Sequence, residues 1–458
     1  MSTTEDHDRR VAAIAAAVRT AASAANTAGG SAPAAHVDKG GVHHVVPLPG
    51  DRRFGGARID ASSLTHLLEI DPEARTCVTE PGVTFEEIVA ATLPHGLVPA
   101  VVPELRGITI GGAVAGCSLE SMSWRYGGFH DMCIGYEVVT GRGEVMSLSP
   151  EQDPDLFHSV HGSYGTLGLL TKVAFRLVPA AAHVELTYRH LGSFEAFDAA
   201  LREACRLDVD HHHDLVDGIV FGPDHFVLCL GRFVERPSRP PSDYTGVDIY
   251  YRSVEHRAAD LMTTSDYFFR YDTECHWLTA TVPPLEWRPV RRAVGRWFLG
   301  STNLIRWSNR LAPLLGRLKR RPDLVVDVFV PGSRFGEFWQ WYLDRLDFFP
   351  MWVVPYRPPA ELYPWVGPHV REQWSDDELF IDCAVYGAVN TAKDRDLSAE
   401  LEEEVFRLGG IKTLISRNHY TEDRFWQVYD RDAYQSAKKR LDPDGLFPDV
   451  YDKLGRVD

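Results

Sequence analysis

The stretch Gly107-Ile-Thr-Ile-Gly-Gly-Ala-Val-Ala-Gly116, answered further along by Gly162-Ser-Tyr-Gly-Thr-Leu-Gly168, decides how this chain is read. Adjacent glycines lack Cβ atoms, so backbone N–H groups can close on an anion without help from a lysine. Ser163 and Thr166 add hydroxyl donors to the second cluster. Two such clusters suit a dinucleotide clamped between subdomains better than a mononucleotide loop. The nicotinamide fingerprint G-x-G-x-x-G after a strand is missing, and so is the P-loop G-x-x-x-x-G-K. Candidate cofactor contacts are Ile110, Gly111, Gly112, Ala113, Gly116, Cys117, Ser118, Ser121, Tyr126, Gly127, Gly162, Ser163, Gly165, Thr166 and Gly168. Use of the glycines in turns alone would account for one Gly-Gly pair. It accounts poorly for two clusters in order with the pieces between them.

Outward from this segment, TCVTEPGVTFEEIVAATLPHGLVPAVV reads as strand, turn at Pro81-Gly82, helix and strand. Thr84 and Glu87 form a capping box, and Gly96 stops the helix. Residues 181–410 differ in texture. Strands HVELTYRHL, GIVFG, HFVLCLGRFV, VVDVFVP and LFIDCAVYGAV alternate with helices such as FGEFWQWYLDRL. Ser398 to Leu408 reads as a helix with Ser398 as N-cap and Gly409 as stop. At the start, Arg10 to Ala25 is predicted helical, followed by the linker NTAGGSAPAA. The expected organisation is a partly flexible extension at 1–40, a cofactor domain at 41–180, a substrate cap at 181–410 and a returning segment at 411–458.

A length of 458 residues calls for two or three lobes rather than one core. The net charge of −16 argues against a nucleic-acid partner, which needs a basic face. No apolar run reaches the ~20 residues of a spanning helix, and MSTTEDHDRR is unlike a signal peptide. The expectation is a cytoplasmic protein. Seven scattered cysteines without a C-x-x-C pair read as reduced thiols. Three consecutive histidines at 211–213 cannot all face one ion on regular structure, so no metal is expected there.

The order TIGGAVAG, RYGGFHDMCIGYEVVTGRGEV, DLFHSVHGSYGTLGLLTKVAFRLVP resembles the FAD-binding domain of the vanillyl-alcohol oxidase class, the PCMH type. MWVVPYRPP, LFIDCAVYGAV and FWQVYDRDAYQSAKKRLDPDGLFPDVYDK extend the resemblance to Δ24-sterol reductases. EEIVAATLPHGLVPAVVPELRGITIGGAVAG, SDYTGVDIYYRS and DYFFRYDTECHW look most like bacterial methylene-fatty-acyl reductases, which act in 10-methyl branched fatty acid synthesis. The resemblance implies an α+β fold: a PCMH-type domain of two α/β subdomains, with a cap built on an antiparallel sheet. It also implies FAD, NADPH as electron source, and reduction of an isolated C=C bond in a lipid. The favoured substrate is the methylene group of a branched acyl chain; the alternatives are a Δ24-sterol side chain, an FAD-dependent alcohol oxidation, and a non-catalytic flavoprotein subunit. His43 and His44 do not sit in the pattern of covalent flavin attachment, so FAD is expected to be non-covalent.

Hydride reaches an electron-rich alkene only if a positioned acid protonates it, and aromatic faces stabilise the resulting cation-like carbon. Aromatic residues crowd between Tyr267 and Trp277, among acids. The candidate catalytic residues are Tyr267, Asp272, Glu274 and His276, with His419 near the C-terminus, where related chains return to the flavin. A well-packed cap core with rim charges is the structural alternative. Residues 287–322 carry ten Lys/Arg and no acid, interleaved with Trp and Leu. That pattern suits an anionic membrane surface at the inner face; other readings are a helix packed on the cap, or a complex with the methyltransferase that makes the methylene lipid.

Overall fold

Val11, Ile14, Ala15 and Val18, at helical spacing, bury one stripe of a first helix that runs Thr3–Ala28. It is longer at both ends than the sequence suggests; Glu5 and Asp6 in its first turn favour the helix dipole. The stripe packs on Ile59, Leu64, Val139, Leu169, Leu446 and Phe447. His7, fully buried, joins Glu80 at 2.8 Å and Glu137 at 3.0 Å. This segment is therefore part of the first lobe, not an appendage to it. The computed structural model describes residues 3–28, 35–41, 52–209, 213–307, 324–360, 362–375, 379–390 and 394–456. His43, His44, His211, His212 and positions 308–322 of the basic stretch lie outside the described residues.

In the first lobe, β1 (Ala35–Asp38) and β2 (Ala57–Asp60) pair in parallel, so the lobe begins before residue 41. β3 (Leu67–Asp71), β4 (Thr76–Thr79), β5 (Leu97–Pro99), β6 (Cys133–Val139), β7 (Val145–Leu148) and β8 (Leu169–Pro179) form a second, antiparallel sheet. Its order is β3-β4-β8-β6-β7, with β5 also on β8. The helix Phe85–Thr92 starts at the expected capping box, and Gly96 ends the following turn at φ +69°.

The cap is one antiparallel sheet made of β9 (His183–Leu191), β10 (Leu215–Gly222), β11 (His225–Val234), β12 (Ala259–Thr263), β13 (Leu324–Pro331), β14 (Met351–Tyr356), β15 (Phe380–Ala388) and β16 (Ile411–Lys412). The spatial order is β12-β9-β11-β10-β14-β15-β13-β16. Side chains alternate between its faces. Val216, Val220, Leu228, Val328, Val353, Ile381 and Cys383 lie under the helices Phe194–Ala204, Phe335–Arg345 and Leu397–Arg407. Leu215, Ile219, Trp352, Phe380, Ala384 and Tyr386 belong to the core shared with the first lobe. The helix from Leu397 is capped by Asp396, not Ser398, because Asp396 accepts the N–H groups of Ser398 and Ala399. Gly409 at φ +72° follows its end, as expected. All seven cysteines are free. Among the described residues no helix is long and apolar enough to cross a membrane.

Candidate functional site

The two glycine clusters meet. The N–H of Gly162 donates to Val114 O at 3.2 Å, and that of Tyr164 to Ala115 O at 3.1 Å. Gly162 and Gly165 adopt φ of +66° and +70°, which an L side chain resists. Not every glycine serves a ligand. A Cβ on Gly111 would strike Pro81 at 2.6 Å, one on Gly127 Asp131 at 2.4 Å, and one on Gly168 Val138 at 2.7 Å. Those three are required by the protein's own packing. By contrast, a Cβ on Gly116 would meet nothing within 4 Å, and one on Gly112 only the Thr109 hydroxyl at 3.2 Å.

The returning segment closes the second cluster from behind. In the helix Arg431–Leu441, Tyr434 donates its hydroxyl to Thr166 Oγ1 at 3.0 Å, and Lys438 Nζ donates to Thr166 O at 2.6 Å. Lys453 Nζ holds Tyr164 O at 2.7 Å. The Thr166 hydroxyl itself donates to Ser163 O at 2.7 Å. It shapes the loop and is not the ligand donor that the sequence suggests.

Beside this loop lie buried ring nitrogens without hydrogen-bond partners: Nδ1 of His130, both nitrogens of His161, and Nε1 of Trp365. His161 sits 5.2 Å from His130 and 5.1 Å from Tyr363, which stacks on Trp365 at 5.6 Å. Burial pushes His130 down to about 3 and His161 well down, so both rings are neutral. Open glycine backbone next to orphaned polar edges is what a bound dinucleotide would fill, and the residues present fit FAD. Gly112, Gly116, Gly162 and Gly165 would hold its polar backbone, with Cys117, His161 and Trp365 alongside.

The lobes are joined by a buried charge network. Arg270, fully buried, contacts Glu120 at 2.8 Å and Asp217 at 3.2 Å. Asp217 also accepts from Trp352 Nε1 at 2.8 Å. Burial raises Glu120, although Arg270 pulls it back. The guanidinium lies over Tyr267 at 4.2 Å and Tyr271 at 4.8 Å. The Tyr267 hydroxyl donates to Ser121 Oγ at 2.9 Å. Ser121 and Tyr267, nominated separately for cofactor and catalysis, thus meet at this joint.

Next to it, Cys275, His276 and Trp277 form a left-handed turn at φ +48°, +50° and +48°. Such a turn costs ~1–2 kcal/mol per residue and clusters at functional sites. It places the His276 ring on Tyr271 at 4.1 Å, with Trp352 at 4.6 Å, Tyr386 at 5.0 Å and Trp277 at 5.2 Å. His276 Nε2 lies 3.3 Å from Glu104 of the first lobe, within ion-pair reach but off the line of a hydrogen bond. Burial would raise Glu104, but His276 beside it holds it below its ordinary range. Across the box, the Tyr386 hydroxyl donates to Asp327. Burial pushes Asp327 up to about 6, with the Tyr386 bond opposing. Burial and the charges of Asp327 and Glu104 push Asp382 well up.

Glu104, Asp327, Asp382 and Tyr386 escaped the sequence reading. Their signal was present: LVV-Asp327-VFVP and FI-Asp382-CAVYG are apolar strands each interrupted by one acid. Alternation puts Asp217, Asp327 and Asp382 on the face toward the first lobe. Of the other nominees, Glu274 is fully buried with neither oxygen hydrogen-bonded, and burial holds it well above its ordinary range while Arg291 pulls down. Asp272 is committed to structure, accepting from Ser301 at 2.6 Å and from the Arg106 N–H at 3.1 Å. His419 bonds Ser398 at 3.1 Å and, through its N–H, Glu402 at 2.8 Å. It belongs to the joint with the helix Leu397–Arg407, not to the box. His213 bonds Ala204 O at 2.8 Å.

Comparison with known proteins agrees with this geometry. A family model described as FAD binding domain matches residues 11–149. The Delta(24)-sterol reductase of Homo sapiens is 25% identical over 406 residues, covering 86% of this chain and 76% of its own. A Delta(24)-sterol reductase homolog of Caenorhabditis elegans is 24% identical over 427 residues, covering 87% and 79%. A decaprenylphosphoryl-beta-D-ribose oxidase of Mycolicibacterium smegmatis is 33% identical over 127 residues, 27% of each chain.

Proposed function

We propose, for a chain that carries a PCMH-type FAD-binding domain and is related to Δ24-sterol reductases, that it reduces an isolated C=C bond in a lipid. The observation that carries the reading is the acid-fed aromatic box around His276, closed by Glu104 of the first lobe. Non-covalent FAD, reduced by NADPH, would supply hydride there. Tyr271, Trp352, Tyr386 and Trp277 exclude water and offer ring faces to the positive charge that develops on a tertiary carbon. The set Glu104, His276, Asp327 and Tyr386 holds the proton that the alkene must receive. One proton and one hydride add across the double bond, so the lipid gains two hydrogens.

The relatives support a Δ24-sterol-type side chain more directly than a methylene-branched acyl chain. The acyl chain is the second reading, favoured by SDYTGVDIYYRS and DYFFRYDTECHW in the cap. Both substrates give a tertiary centre. Anaerobic mixing with NADPH should bleach the flavin, and mass spectrometry should find one of the two lipids heavier by two hydrogens. The identity of that lipid decides between them. If a range of Δ24 sterols and methylene-branched lipids all stay unchanged while the flavin is reduced, the reductase assignment fails. Rapid reoxidation by air with peroxide release would point to an alcohol oxidase instead.

A further inference from the structure

The candidate box does not account for the helix Arg288–Phe298 and the short helix after it, residues 301–307. Six large hydrophobic side chains are exposed among the described residues, and three of them, Trp287, Phe298 and Trp307, lie on this pair of helices. Phe298 and Trp307 touch, with ring centroids 5.7 Å apart. Arg288, Arg292 and Arg306 are exposed around them, Arg288 also pairing with the half-exposed Asp248 at 3.3 Å. Arg291 turns inward: it is 1% exposed and donates to Gly246 O at 3.1 Å and to Thr273 Oγ1 at 3.2 Å. Ser301 donates to Asp272 at 2.6 Å. Among the described residues the outer face carries Arg292 and Arg306 beside the exposed rings, with Arg288 shared with Asp248, while two anchors fix the pair to the turn that leads into His276.

A chain of net charge −16 that gathers ten basic residues and no acid into positions 287–322 has separated its charge by design of sequence. A soluble acidic surface does not need exposed tryptophans amid arginines. Indole rings and guanidinium groups side by side are the composition that partitions at a lipid headgroup boundary, where arginine meets phosphate and the ring meets the acyl edge. We propose that Trp287, Phe298 and Trp307, framed by Arg288, Arg292 and Arg306, seat the enzyme on an anionic lipid bilayer. The proposal deepens the lipid-reductase reading, for a membrane lipid has to be collected at the surface. Binding is measured without turnover, so the two can fail separately.

The test is co-sedimentation of the FAD-loaded protein with vesicles of phosphatidylcholine alone and of phosphatidylcholine mixed equally with phosphatidylglycerol. Binding is expected to the anionic vesicles only, and to weaken as salt rises. Replacing Arg288, Arg292 and Arg306 by Ser should lower the anionic-vesicle affinity about a hundredfold with the flavin spectrum retained. Replacing Trp287, Phe298 and Trp307 by Ser should remove the part of binding that survives high salt. As a check free of folding defects, the tryptophan emission of the unaltered protein should shift to the blue on adding anionic vesicles. Equal sedimentation with both compositions, sedimentation with neither, or an unmoved emission overturns the proposal; sedimentation with neither would leave the patch to a protein partner.

Discussion

Gly116 and Gly168 sit in the same motif set and do different work: at Gly168 a side chain would collide with the protein, and at Gly116 it would meet nothing within 4 Å. Gly116→Val is thus expected to leave the flavin-free fold intact and to remove bound FAD, read as loss of yellow colour at an unchanged thermal midpoint. Full flavin occupancy in that variant would take Gly116 out of the site. His276→Asn tests the box, since Asn accepts the left-handed conformation that His276 adopts. Turnover should fall by about two orders of magnitude or more with the flavin spectrum unchanged; wild-type turnover would remove His276 from the chemistry. Asp131 carries a pH prediction. Burial raises it to about 7, although it accepts a bond from the Gly128 N–H at 2.6 Å. Its folded value exceeds its unfolded one, so its stabilising contribution is full below about pH 4 and is lost as pH rises through 7. The thermal midpoint of the flavin-free protein should therefore drop over that window, and Asp131→Asn should flatten the drop. An equal slope in the variant would contradict the assignment.

Elements explain which parts of the molecule could be read from sequence. The cap strands His183–Leu191 and His225–Val234 are legible to the residue, the first because alternation leaves little choice of register and the second because it is a short apolar run bounded by turns. The glycine clusters are legible because close approach leaves few other residues possible. The acids of the site are not, because Asp327 and Asp382 look like lapses in an apolar strand until the opposing lobe is in place. His276 stood out by its neighbours, yet its left-handed turn leaves no mark that composition reveals. The hold of the first helix is likewise hidden in the sequence, since an Ala-rich stretch reads as weakly amphipathic. Its hold on the lobe is His7 between two glutamates, and Glu80 also receives Arg10 and His66. Burial would raise Glu80, but these bonds together keep it below its ordinary range. His7→Ala leaves buried acceptors short of a donor and is expected to cost about 3 kcal/mol, measured as a lowered unfolding midpoint. An unchanged midpoint would show the helix to be held by its apolar stripe alone.

At the scale of the molecule, one guanidinium bridges the two lobes beside the Tyr267–Ser121 bond, the Arg106–Asp272 bond and the shared apolar core. Arg270 Nη2 reaches Glu120 in the first lobe and Asp217 in the cap sheet while Nη1 donates to Tyr267 O at 3.1 Å, and a lysine, with a single nitrogen, cannot hold all three in that planar geometry. Breaking a buried pair of this kind costs ~3–5 kcal/mol. Arg270→Lys should loosen the cap, seen as faster limited proteolysis between the lobes and weaker FAD retention. Protease resistance equal to the unaltered protein would mean that the shared apolar core suffices to fix the lobes.

The clamp on Thr166 has a consequence for how the protein is made. The loop proposed to hold the cofactor is complete only when Tyr434, Lys438 and Lys453 arrive, and they are synthesised long after the glycines they steady. During translation the emerging first lobe then has its strands and its glycines but not its latch. Ribosome-held chains that stop short of Arg431 are expected to capture no FAD, and chains that extend past Lys453 and clear the exit tunnel to capture it. Flavin supply would then act on finished polypeptide rather than on the growing one.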